Sequence, residues 1–167
     1  MRISKKVLLL SAVLFGLAVV PTGFSHAAGA GGGSSGSSGG SSGSSSSAGA
    51  EFGKAKAKVE AEDYRGAIPL LEKLVRKNPK HADAYNLLGY SHRKLGHTDE
   101  ALEYYGKALK ANPKHLGANE YLGELYLELN DLAKAEERRA VLAKACKSCE
   151  ELEDLDEAIA AFKAKSS

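Results

Sequence analysis

The chain has 167 residues, 43% of them hydrophobic, and a formal net charge of +2, which suits one modest domain with a packed core. Arg2, Lys5 and Lys6 supply three of the positive charges, and residues 28–167 hold 20 basic against 21 acidic groups. So even a balance excludes the basic stripe that a nucleic-acid binder needs to release counterions.

Residues 1–27 read as an export signal. Met1–Lys6 is short and basic, Val7–Val20 is an uncharged and mostly apolar run of 14 residues, and Pro21 and Gly23 break it. Ser25 and Ala27 are small residues at the −3 and −1 positions of a cleavage site after Ala27. The run falls short of the roughly 20 apolar residues needed to span a bilayer, so no stable membrane insertion is expected once the signal is cleaved. The mature protein is expected to be periplasmic or secreted. Residues 28–50 are almost entirely Gly, Ser and Ala. They offer no apolar side chain larger than alanine to offset ordering entropy, and read as a flexible spacer. The folded domain is expected over 51–165.

From there the sequence repeats every 34 residues. Ala67, Ala101 and Ala135 keep that spacing, Asn78-Pro79-Lys80-His81 recurs as Asn112-Pro113-Lys114-His115, and Gly89 recurs as Gly123 with Ala55 one period earlier. Each unit carries two apolar stripes at helical spacing. In the middle unit these are Tyr85, Leu88 and His92 on a helix A, and Leu102, Tyr105 and Leu109 on a helix B. Gly96 suits a left-handed helix end, and Asn112-Pro113 stops helix B. Gly89 and Ala101 lack bulk where paired helices would cross.

The set Tyr85-Asn86-Leu87-Leu88-Gly89, Ala101, Tyr105, Ala108 and Pro113 resembles a tetratricopeptide repeat over its full length, with in-phase copies at about 48–81, 82–115 and 116–149. The resemblance implies an all-α fold: a right-handed solenoid of three helix-turn-helix repeats. The copies depart from the pattern in places. Repeat 1 has Glu51 for the bulky first residue and Lys58 for the tyrosine, and Pro69 falls inside its helix B. Repeat 2 has His92 at the tyrosine position, read as a core residue bonded to a neighbour. Repeat 3 has Arg139 for the aromatic and Lys147 for the proline. Leu152, Leu155, Ile159 and Phe162 then share one helix face, so residues 150–165 are expected to cap the stack. Repeat 1 is the poorer cap, which leaves weak self-association through that end open.

Cys146 and Cys149 form a Cys-x-x-Cys. Glu150 stands where haem attachment requires histidine, and two cysteines with no histidine beyond His115 do not make a zinc site. The pair reads as a local disulfide of an oxidising compartment, with a thiol-disulfide redox helper as the alternative. His81 and His115 read as loop residues duplicated with their repeats, and Glu120, Glu124 and Glu128 as a solvated or partner-facing stripe. No metal, cofactor or catalytic constellation is implied, so the chain is not read as an enzyme.

In this family the helix A faces turned away from helix B line a concave groove. Carried over position by position, the resemblance implies a groove of Phe52 and Lys56 in repeat 1, Asp83, Asn86, Tyr90 and Arg93 in repeat 2, and Glu120, Glu124 and Leu127 in repeat 3. Phe52, Leu87, Gly117 and Tyr121 stand where a clamp for a C-terminal carboxylate would need polar groups, so that specialisation is not implied. The expected partner is a protein or peptide of complementary charge, and the expected role an exported interaction scaffold in assembly of an envelope complex.

Overall fold

The computed structural model describes the backbone from Gly43 to Lys165, with side chains from Ala48. The signal (1–27) and most of the spacer expected over 28–50 lie outside the described residues. Seven helices and no strand are found among those residues: α1 (Gly43–Glu60), α2 (Tyr64–Lys77), α3 (Ala82–Lys94), α4 (Thr98–Ala111), α5 (Leu116–Glu128), α6 (Leu132–Ala145) and α7 (Glu150–Lys165). Helices α1 and α2 form repeat 1, α3 and α4 repeat 2, and α5 and α6 repeat 3. The A helices α1, α3 and α5 stand side by side, and α7 continues their row. The expected boundary at residue 51 is corrected. The α1 helix begins at Gly43, so the last eight residues of the Gly/Ser/Ala stretch are helical. Ala48, Gly49 and Ala50 are exposed there, so no burial drives that extension.

The helices cross where the sequence leaves a gap. Gly89 on α3 lies under the ring of Tyr105 on α4, so closely that a Cβ at Gly89 would stand 2.6 Å from the ring. Tyr105 is fully buried, with Ala101 and Ala108 beside it on the same face. In repeat 3 the residue in phase with Tyr105 is Arg139, which cannot fill the equivalent gap over Gly123. Leu155 of α7 does so instead: a Cβ at Gly123 would meet its methyl groups at 2.7 and 2.8 Å. Arg139 turns outward and holds Asp156 of α7 with both carboxylate oxygens engaged. The cap is thus built into the core with Leu127, Ala135 and Leu142, to which it contributes Leu152, Leu155 and Ile159.

Repeat 1 meets its departures with charge. Glu51 replaces the bulky residue and accepts from Lys73 and Lys77 of α2, each at 2.9 Å. Hydrogen bonds from these two lysines hold its carboxyl down at about 2. Lys58 pairs with Asp63 at 2.6 Å, while Ala55 and Val59 provide the buried face of α1. Pro69 neither delays nor ends α2, which runs from Tyr64 past it to Lys77. Its side chain is exposed, on the face where the carbonyl that loses a partner is most readily hydrated.

Two kinds of turn recur in register. Between helices A and B, Glu62, Gly96 and Asn130 stand 34 residues apart, all in the left-handed region at φ 59°, 79° and 60°. Glycine and asparagine tolerate that conformation, whereas glutamate carries a Cβ penalty. Between helices B and A, Asn78 and Asn112 each accept a hydrogen bond from the backbone two residues on, at 3.1 Å. His81 and His115 close these turns as N-caps, their Nδ1 atoms accepting from the N–H groups of Ala84 and Ala118 at 3.4 and 3.1 Å. Both histidines lie in equivalent loops, as expected of residues duplicated with their repeats, and each also caps the helix that follows. One period later the asparagine and histidine positions are held by Cys146 and Cys149. Their Cα atoms lie 5.9 Å apart and their sulfurs stand at disulfide-bonding distance. A close pair of sulfurs thus stands where two side-chain bonds shape the other turns.

Two stability outcomes are expected. Glu62→Gly relieves about 1–2 kcal/mol of left-handed strain against ~0.4–1 kcal/mol of added chain entropy. A thermal melt should therefore rise by a few degrees, and a fall would mean that the Glu62 side chain earns its position through a contact. Replacing Cys146 and Cys149 by serine removes a short-loop constraint of about 2 kcal/mol and should lower the melt by a few degrees with helicity intact. Installing the turn of the other repeats (Cys146→Asn, Lys147→Pro, Ser148→Lys, Cys149→His) should recover most of that loss. Failure to recover it would show that the two turns are not equivalent.

Candidate functional site

The row of A helices presents most of the residues expected to line a groove. On α1, Phe52 is half-buried with its ring 4.8 Å from that of His81, and Lys56 pairs with Glu60 one turn on, at 3.7 Å. On α3, Asp83 is exposed and bonds Nε2 of His115 across the repeat boundary at 3.1 Å. That hydrogen bond holds its carboxyl below the ordinary range. These residues lie on the A helices, but several of them are not exposed. Asn86 and Glu120 are only 7% and 4% exposed, and Tyr90 is also buried. They sit where α3 meets α5: Gly117 is open enough on α5 that a Cβ there would come within 3.2 Å of the Asn86 amide. These residues serve the joint between repeats before they can serve a partner. Leu127 is corrected outright. It is buried in the core shared by α5, α6 and α7.

Two features stand out along the row. The first is an aromatic seam. Tyr90 lies between Tyr64, at 6.0 Å, and Tyr121, at 4.9 Å, with the Lys94 ammonium 5.6 Å from its ring. Burial, then the neighbouring Tyr64, pushes the Tyr90 hydroxyl up to about 12, and burial raises Tyr121 further. Both are neutral hydrogen-bonding groups on an otherwise apolar body.

The second feature is an acidic end organised around one guanidinium. Arg93 donates to Glu124 at 2.7 Å and to Glu128 at 2.6 and 3.1 Å, two carboxylates one helical turn apart on α5. Burial works against its charge, yet Glu128 and Glu124 together overcome that and hold its pKa above the ordinary value. Arg93 also lies close enough to the buried Tyr105 hydroxyl to offset part of its desolvation. It is therefore a tie between repeats 2 and 3 as much as a recognition group. Glu120 and Glu124 act on the Tyr121 hydroxyl, and so does Glu151 from the first turn of α7. Arg93 thus faces two carboxylates at the C-terminal end of the row, with Glu151 near Tyr121 beside them, and Glu128 is the more exposed of the pair.

Sequence reasoning omitted Tyr64, Tyr121 and Glu151 from the site. Glu151 was legible in the 34-residue phase, because it stands one period beyond Gly117 and extends the groove positions into the cap. The seam was not legible, since Tyr64 belongs to helix B of one repeat and reaches Tyr90 only through stacking. The redox reading of the cysteines finds no support: Cys146 follows α6, and the pair occupies turn positions filled by Asn and His elsewhere in the solenoid. Among the described residues no three His, Cys, Asp or Glu side chains converge on a metal position, and no helix is long and apolar enough to cross a membrane.

Comparison with known proteins agrees with the architecture. The sequence profile of the tetratricopeptide repeat matches residues 52–105 and 87–146, which together span more than half of the chain. No curated protein gives a match. Among solved structures, the type III secretion translocator chaperone SycD of Yersinia enterocolitica superposes with a TM-score of 0.66 at 18% identity, over 74% of this chain and 97% of that one. The same chaperone in complex with a peptide of the translocator YopD gives 0.64 at 18%, over 74% and 98%. MamA from Desulfovibrio magneticus RS-1 gives 0.54 at 25%, over 57% and 54%. Profile, seven-helix order and recurrent turns agree that the chain belongs to the tetratricopeptide repeat family.

Proposed function

We propose that this protein is an exported interaction scaffold that holds an extended protein or peptide segment along its row of A helices. The observation that carries the reading is the acidic end of that row, where Arg93 meets Glu124 and the exposed Glu128, and Glu151 lies near Tyr121 beside the Tyr90–Tyr121 seam. Such a surface suits a segment with basic side chains flanking an aromatic or apolar anchor. The tyrosines supply area at low entropic cost, and the carboxylates supply steering and register. SycD, similar in fold, has been crystallised with a peptide of YopD, which supports peptide holding as a use of this architecture.

The signal-like N-terminal sequence supports a scaffold that works in the periplasm or outside the cell, where Cys146 and Cys149 would be oxidised and the partner would be one component of an envelope assembly. No step of this role requires chemistry on the partner, so the protein is read as a non-enzyme.

The test is binding of a peptide library of graded charge to the chain lacking residues 1–27, followed by fluorescence anisotropy. Peptides with two or more basic residues around an aromatic should bind in preference to acidic ones. Glu128→Gln with Glu151→Gln should weaken them roughly five- to thirty-fold, at about 1 kcal/mol per lost charge pair. The salt dependence should fall with it. Preference for acidic peptides, or affinity indifferent to both substitutions, would place the contact elsewhere.

A further inference from the structure

The turn between α3 and α4 holds a pair of side chains that the scaffold reading does not use. Positions 58 and 63, 92 and 97 bear the same relation one period apart, each pair facing across the turn between helices A and B. In repeat 1 they are Lys58 and Asp63, opposite charges joined at 2.6 Å. In repeat 2 they are His92 and His97, whose Nδ1 atoms stand 3.4 Å apart. Two like groups meet where the other repeat places complementary ones.

His97 has also given up the task of its position. Asp63 and Asp131, in phase with it, cap α2 and α6 by accepting from the N–H groups of Gly66 and Lys134 at 2.9 and 3.1 Å. His81 and His115 show that a histidine in this protein can cap through Nδ1. His97 makes no side-chain cap to α4 and instead aims Nδ1 at His92.

The separation is within reach of an N–H···N hydrogen bond, and it also matches a second arrangement. Two nitrogens on one tetrahedral Zn²⁺, each at about 2.0–2.1 Å, stand about 3.3–3.4 Å apart. We infer that His92 and His97 form a two-point site for a late first-row divalent cation of the Zn²⁺ or Ni²⁺ class, ligated through both Nδ1 atoms. Imidazole nitrogen is the ligand type these ions favour.

The surroundings agree with that chemistry. Nε2 of His92 is buried with no hydrogen-bond partner among the described residues, so the Nδ1 that faces His97 is the ring nitrogen placed to meet an ion. The Tyr104 ring lies 5.2 Å from His92 and covers one side. His97 is exposed, which gives ions access. With no third protein ligand among the described residues, water completes the shell and the ion exchanges freely. Occupancy would clip the helix A–helix B turn of the central repeat and stabilise the folded chain by mass action.

The experiment titrates ZnCl₂, then NiCl₂, into the untagged chain lacking residues 1–27, by calorimetry and thermal melt. Wild type should saturate at one equivalent with a rise in melting temperature. His97→Ala removes an exposed ligand and should weaken binding at least tenfold, with the metal-free melt and helicity nearly unchanged. His92→Tyr restores the residue type of the repeat pattern and should do the same. Absence of a saturable site in wild type overturns the assignment, and so does a site that survives His97→Ala. Both outcomes are independent of peptide binding, so this inference and the scaffold reading fail separately.

Discussion

A missing side chain beneath a large one fixes the geometry of this solenoid. Gly89 lets α3 approach α4 until the Tyr105 ring lies directly on backbone, and Gly123 lets Leu155 do the same on α5. Burial of a tyrosine body or a leucine is worth about 1.5–3 kcal/mol each, but only when the helix beneath offers no Cβ. Interhelix distance, crossing and hence the alignment of the A helices follow from that fit. The surface proposed for binding exists because α2, α3 and α5 pack closely enough for Tyr64, Tyr90 and Tyr121 to line up.

The same constraint explains how a divergent third repeat remains folded. Arg139 stands where an aromatic would cover Gly123, and an arginine there could be buried only at a large desolvation cost. The chain turns it out to Asp156 and brings Leu155 in from the next helix. The cap is thereby a component of repeat 3 as well as its cover. The turn leading into it departs in parallel, with two cysteines at the Asn and His positions. Repeat 1 solves its own missing bulk differently, through Glu51 and two lysines on α2. Each departure from the pattern is met by a contact that a neighbouring element supplies.

Period and fold were legible because one 34-residue spacing governs glycines, alanines and turns alike. The left-handed turn at Gly96 and the capping role of 150–165 were equally plain from residue type and phase. Four things were not. The helical turn at Gly43–Ala50 contradicts composition, and the side chains described there offer no physical account of it. The burial of Asn86, Tyr90 and Glu120 depends on how closely α3 and α5 approach, which no single-helix pattern reports. Leu127 shares the phase of a groove position, yet the cap draws it into the core. His81 and His115 looked idle because their work is a backbone hydrogen bond, invisible to spacing arguments.

Function rests on the same packing, since a row of helices that shifted would scatter the acidic end and the tyrosine seam. The most direct test is a double-mutant cycle on Gly123 and Leu155, read by denaturant unfolding. Gly123→Ala alone introduces a Cβ that collides with Leu155, and Leu155→Ala alone leaves a cavity, each destabilising by about 1–4 kcal/mol. Together the new methyl occupies part of the vacated space. The double variant should be more stable than the sum of the two by about 1 kcal/mol or more. Additivity within about 0.3–0.5 kcal/mol would mean that the two residues do not bear on each other, and that α7 covers the solenoid without completing it.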